Sequence, residues 1–144
     1  MGTAERNISS LDYLRLINQI YNDVGQSAIP AEHLHQLYVM LETAHKIKSE
    51  VIPDNIVTMN SDVTIRFIRS GITKTIRIVY PTDHTLPEMN DNSDTKITVY
   101  HPLAISMLGL KEHDICLSRN GETDELVLID KILFQPEAHK IYNL

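Results

Sequence analysis

The stretch ITVYHPLAISMLGLKEHDICLS, residues 97–118, changes its structural period twice within a few residues. Ile97 to Tyr100 reads as a strand. Pro102 suits the first position of a helix, where its missing N–H is no loss. Leu103, Met107 and Leu108 can share one face of that helix, and Gly109 can take the left-handed conformation that ends it, with Leu110 folding back on Ile105. Ile115 to Ser118 reads as a returning strand. The segment therefore specifies a strand, a tight corner, a short helix packed on a sheet, and a second strand.

Working upstream, the period of two continues. Val63 to Tyr80 reads as a hairpin around SGIT, with Gly71 at the first central position that a type II′ turn requires. The register this implies pairs Val63 with Tyr80, Ile65 with Ile78 and Phe67 with Ile76, making one face wholly apolar and buried. The other face sets Thr64 against Val79 and Arg66 against Arg77. Arg69 and Lys74 stand close to the turn. Like charges directly across a hairpin oppose folding, so the group Arg66, Arg77, Arg69 and Lys74 reads either as a screened face, offset by Asp130 or Glu125, or as a contact for an acidic partner or phosphate. Between this hairpin and the opening strand lies a polar, acidic loop over 82–95. After residue 118, a turn on Asn120 and Gly121 leads to a final strand from about Glu125 to Phe134.

The amino-terminal third follows a helical code. Leu14, Ile17, Tyr21 and Val24 recur at three and four, which predicts a helix over 10–24 capped by Ser9 or Ser10, with those four along one stripe. Gly25 can stop it and Pro30 can start a second helix, whose stripe is Leu34, Leu37, Leu41 and Ala44. Lys46 and Lys48 suit the negative end of that helix. Two stripes joined by a short loop predict an antiparallel helical hairpin, a short coiled coil, which either lies on a common core or projects as an arm; periodicity does not choose between the two. The fold class is therefore α+β: a helical hairpin arm over 1–50 and a sheet domain with one short helix over 51–144.

The 144 residues carry a net charge of -6 and one cysteine, Cys116, inside a strand pattern. The acidic balance argues against a general nucleic-acid binder while leaving room for a local basic patch, and no direct sequence-specific nucleic-acid binding is expected. Cys116 reads as a small core residue. No apolar run approaches membrane-spanning length, and no leader pattern opens the chain, so a soluble, cytoplasmic protein with no membrane contact is expected.

The wording of 97–118 is more specific than its physics. It resembles the signature of the C-terminal domain of the Gre transcript-cleavage factors. DNIVTMNSDVTIRF (54–67), IVYP (78–81) and FQPEA (134–138) are similar to one branch of that superfamily, the regulators of nucleoside diphosphate kinase known as Rnk proteins. The likeness spans roughly Asp54 to Ala138. It departs at His113, where the family favours Gly before Asp114, at the turn SRNGE, and at Tyr100 and His101, where Gre factors place short polar residues. The resemblance implies an FKBP-like antiparallel sheet domain behind a coiled-coil arm, docking on bacterial RNA polymerase at the rim of its secondary channel. It places the docking corner on Tyr100, His101, Pro102 and Leu103; burial under the helix is the simpler reading for Leu103, whereas Tyr100 and His101 are expected to be exposed, since a corner leaves room for such side chains and amphipathic aromatics anchor interfaces.

Chemistry can be weighed from the residues. Gre factors present acidic residues at the arm tip to help hold Mg²⁺ in the polymerase active site. Here the tip, Gly25 to Pro30, contains no acid; Asp23 reads as an ordinary solvated side chain and Glu32 as a partner of its helix N-terminus. A helix of about 15 residues also rises only about 22 Å. Cleavage is not expected. His33 and His35 face different sides of a helix, so no metal site is expected, and no cofactor. No Gly-rich phosphate loop appears. A peptide-binding or prolyl isomerase domain of the same fold is the alternative, weakened by the scarcity of aromatics: no Trp, and only Phe67 and Phe134. The chain reads as a non-enzymatic, polymerase-binding regulator that competes with Gre factors.

Overall fold

A computed structural model describes residues 5–25, 29–81, 94–120 and 123–141. Most of the acidic loop expected over 82–95, and Gly121 of the expected turn, lie outside them. The elements run β1 (Asn7–Ser9), α1 (Ser10–Asp23), α2 (Ala31–Thr43), β2 (His45–Ile47), β3 (Asp62–Phe67), β4 (Thr73–Val79), β5 (Asp94–Thr98), α3 (Pro102–Met107), β6 (Ile115–Asn120) and β7 (Thr123–Phe134). Short 3-10 turns occupy Ser49–Val51 and Pro136–His139. No helix among the described residues is long and apolar enough to cross a membrane.

Ser9 caps α1, its hydroxyl accepting from the Asp12 N–H at 3.0 Å. The expected apolar stripe is not the buried face of this helix. Leu14, Tyr21 and Val24 are 64%, 75% and 64% exposed, while Asp12, Leu16, Ile20 and Asp23 are buried. Two stripes compete on this helix, and the buried one contains aspartates whose hydrogen bonds, described below, remove the usual cost of burying them. In α2 the stripe Leu34, Leu37, Leu41 and Ala44 is buried as its spacing predicts. Pro30 sits one residue before α2, in the cap position. Beyond Thr43 the chain turns extended, and β2 pairs in parallel with β1, Asn7 facing His45 and Ser9 facing Ile47. Strands of three residues are too short to show a period in the sequence. Lys46 still reaches back, its Nζ donating to the Glu42 carbonyl at 3.0 Å.

The main sheet has the order β5-β4-β3-β7-β6. All neighbours are antiparallel except β4 and β5, which run parallel, so the expected purely antiparallel sheet is corrected to an antiparallel-rich one. The segment 80–93 is long enough for the crossover that parallel neighbours require. Register shifts between Asp62 and Val63 and between Thr64 and Ile65 let β7 curl around β3.

The hairpin register is also corrected. Val63 faces Ile76 instead of Tyr80, and Arg66 faces Thr73 instead of Arg77. The loop is longer than a two-residue turn: Phe67 N–H donates to the Ile72 carbonyl at 2.8 Å, and Gly71 N–H donates back to Phe67 at 2.7 Å. Gly71, at φ +75°, closes this four-residue loop. Because the shift is even, every side chain keeps its face: Val63, Ile65, Ile76 and Ile78 are fully buried. Phe67 moves to the end of the hairpin and is only partly buried there. One cluster of buried side chains unites both helices with the inner face of the sheet and α3.

Candidate functional site at the strand-to-helix corner

The corner begins where β5 ends. Val99 N–H still donates to the Val79 carbonyl, at 3.1 Å, and His101 N–H turns back to Thr98 at 3.0 Å. His101 then caps α3: its Nδ1 accepts from the Leu103 N–H at 3.1 Å. Pro102 follows at the first helical position. Burial, and then the nearby His33, lower the His101 pKa, which keeps Nδ1 free of a proton and able to cap. At the far end Gly109 adopts φ +88°, and its N–H donates to Val57 at 2.9 Å. Arg6 covers the end of the helix, Nη1 donating to the carbonyls of Ile105 and Leu108 at 2.9 Å each. Asp114 closes the exit, its carboxylate accepting from Lys111 N–H at 2.9 Å while His113 holds φ +75°. That left-handed backbone is the reason glycine suits position 113.

Of the four residues assigned to docking, two reach the surface. His101 and Pro102 are half-buried, whereas Leu103 is 3% and Tyr100 only 1% exposed. The expectation of an exposed Tyr100 is corrected. Its hydroxyl donates to the Asp23 carboxylate, which also accepts from Gln19 Nε2 at 2.7 Å. Asp23 is therefore a buried anchor, 3% exposed, and not the solvated side chain its setting suggested. Burial, then the bond to Asp23, push the Tyr100 hydroxyl far above its usual pKa, so it remains a donor.

A matching bond secures the other end of α1. Tyr80 donates to Asp12 Oδ1 at 2.8 Å, and Met59 N–H donates to Oδ2 at 3.2 Å. Burial raises the Asp12 pKa. Glu137, also raised by burial, accepts from Thr58 at 2.7 Å, and Thr58 shares a hydrogen bond with Ser61 at 2.8 Å. Sequence reasoning missed these links, since nothing local distinguishes an Asp with a distant tyrosine from a solvated one.

The cationic group is not assembled as the sequence implied. Arg77 faces Asp62 and forms a bidentate ion pair, Nε to Oδ1 and Nη2 to Oδ2 both at 2.7 Å. Arg66, exposed, lies between Thr73 and Leu128, and Arg69 is exposed in the loop. Lys74 faces Ile65. The register shift removes the like-charge pairing. Cys116 is buried, and burial pushes its thiol up to about 11.

No family model matches the chain. Over 105 residues it is 30% identical to the Regulator of nucleoside diphosphate kinase of Escherichia coli K12, covering 72% of this chain and 73% of that protein. The protein of the same description from Shigella flexneri matches equally. Among solved structures, the prokaryotic transcription elongation factor GreA/GreB from Nitrosomonas europaea superposes with a TM-score of 0.66 at 27% identity, over 92% of this chain and all of that one.

Proposed function

The chain belongs to the family of regulators of nucleoside diphosphate kinase, and we propose on that basis that it is a Gre-like, non-enzymatic transcription regulator. It docks on bacterial RNA polymerase near the secondary channel, with the sheet domain over 51–144, read as FKBP-like, as the docking part and the hairpin over 1–50 as its arm. His101 and Pro102 make the contact, while Tyr100 and Leu103 fix the corner from beneath. Arg66 and Arg69 offer a secondary contact for acidic surface, with Arg77 committed to Asp62 and Lys74 set against Ile65.

The observation that carries the mechanism is Asp23 buried beneath Tyr100. It is the acid nearest the amino-terminal side of a tip with no acid of its own, and it is turned inward. Glu32, in the first turn of α2, accepts from Gln36 at 3.3 Å and complements the helix terminus. Of the two acids that flank the tip, Asp23 is thus withdrawn and Glu32 serves its own helix, and the protein occupies the channel rim without promoting cleavage. Transcript cleavage on backtracked complexes tests this: no stimulation is expected from the protein alone, and titration against a Gre factor should inhibit that factor. Cleavage by the protein alone would refute the mechanism, and absence of competition would remove the shared site.

A further inference from the structure

An open groove of about 380 Å³ adjoins the corner, bounded by α2, α3 and the sheet-edge strand β6. Val39, Met40, Ile105 and Leu117 form apolar walls, Pro102 joins it to the corner, and Arg6 supplies a cation. Val39 and Leu117 are 45% and 40% exposed, so both offer aliphatic surface to an occupant of the depression.

Arg6 is the informative residue. Its Nη1 is engaged by two carbonyls, yet a guanidinium has five N–H donors, and Nε and Nη2 have no bond among the described residues. Nor does any described carboxylate lie within ion-pair distance of it. Burial lowers its pKa, as follows when water is withdrawn from a cation. The chain as a whole is acidic at -6, but the described lining of this groove contains no Asp or Glu. An apolar depression with an uncompensated guanidinium fork is complementary to a carboxylate flanked by aliphatic groups.

We propose that this groove receives a segment of the polymerase bearing a carboxylate beside aliphatic side chains. The carboxylate takes the Nε and Nη2 side of Arg6 while the aliphatic groups cover Val39 and Leu117. The assignment rests on the docking reading above and extends it from the corner to α2.

Because Arg6 also covers the end of α3, the test uses Val39, an exposed position on α2. Binding of purified bacterial RNA polymerase to labelled protein is measured for the wild type, Val39→Glu and Val39→Lys at low and high salt. An added carboxylate should repel the incoming one and weaken binding about tenfold or more, whereas Val39→Lys should stay within about threefold. Equal loss in both variants would leave an apolar contact and overturn the carboxylate. No loss in either would place the segment elsewhere while the docking reading stood. Failure of the wild type to bind would overturn the docking reading, and this inference with it. A dimer of the protein alone that Val39→Glu dissolves would assign the groove to a second copy and overturn the proposal.

Discussion

His101 concentrates two demands in one imidazole. It caps α3 through an unprotonated Nδ1 and lies at the surface beside Pro102. Its folded-state pKa is lowered, so its contribution is present above the unfolded value of about 6.5 and is lost as pH falls through the lower folded value. His101→Asn keeps an acceptor at the cap and removes the titration. Stability measured by urea unfolding should then fall less between neutral and mildly acidic pH than in the wild type, while His101→Ala should lose about 1 kcal/mol at neutral pH. If His101→Asn retains the full wild-type pH slope, the cap is not what titrates. Tyr100 and Asp23 make the complementary point. A buried aspartate is tolerated because a distant tyrosine completes it, and neither residue signals the other along the chain.

At the level of elements, two glycines with similar backbone differ in what surrounds them. Gly71 closes the β3–β4 loop at φ +75° with nothing near an added Cβ, whereas Gly109 ends α3 at φ +88° with the Asn7 carbonyl 3.0 Å from that position. Gly71→Ala should cost about 1–2 kcal/mol for the left-handed backbone alone. Gly109→Ala adds the displacement of β1, so about 1–3 kcal/mol more is expected from overpacking. Thermal unfolding of the two variants side by side checks the difference; equal losses would mean that β1 yields freely. The same contrast explains the hairpin. Gly71 fixes that a turn exists, but the choice between a two-residue and a four-residue loop decides whether Arg77 meets Arg66 or Asp62.

For the whole molecule, the question is whether the proposed arm over 1–50 and the proposed sheet domain over 51–144 unfold as one. Leu37 of α2 is fully buried within the cluster that includes Ile65 and Ile129 of the sheet. Asp12 and Asp23 hold the two ends of α1 to Tyr80 and Tyr100. A single transition is expected when helix content and tyrosine fluorescence are followed together, and Leu37→Ala should lower its midpoint at a cost of about 2–5 kcal/mol. Separate transitions, or a variant that melts the helices alone, would make the arm an independent unit.

What local chemistry dictates was legible in the residues. The α+β class, the corner from Ile97 to Ser118, the inward stripe of α2, the left-handed Gly109 and the buried side of the hairpin all follow from spacing and from Pro and Gly at positions that need them. The even period of a strand preserved the buried face through a wrong register. The pairing of β1 with β2, the parallel entry of β5, the inward face of α1 and the burial of Tyr100 depended on partners far away in sequence. For α1 the apolar pattern pointed the wrong way, because its buried side holds two aspartates whose hydrogen bonds include tyrosines 68 and 77 residues distant. Periodicity reports which side chains prefer to leave water, whereas hydrogen bonding across the fold determines which polar ones can follow them.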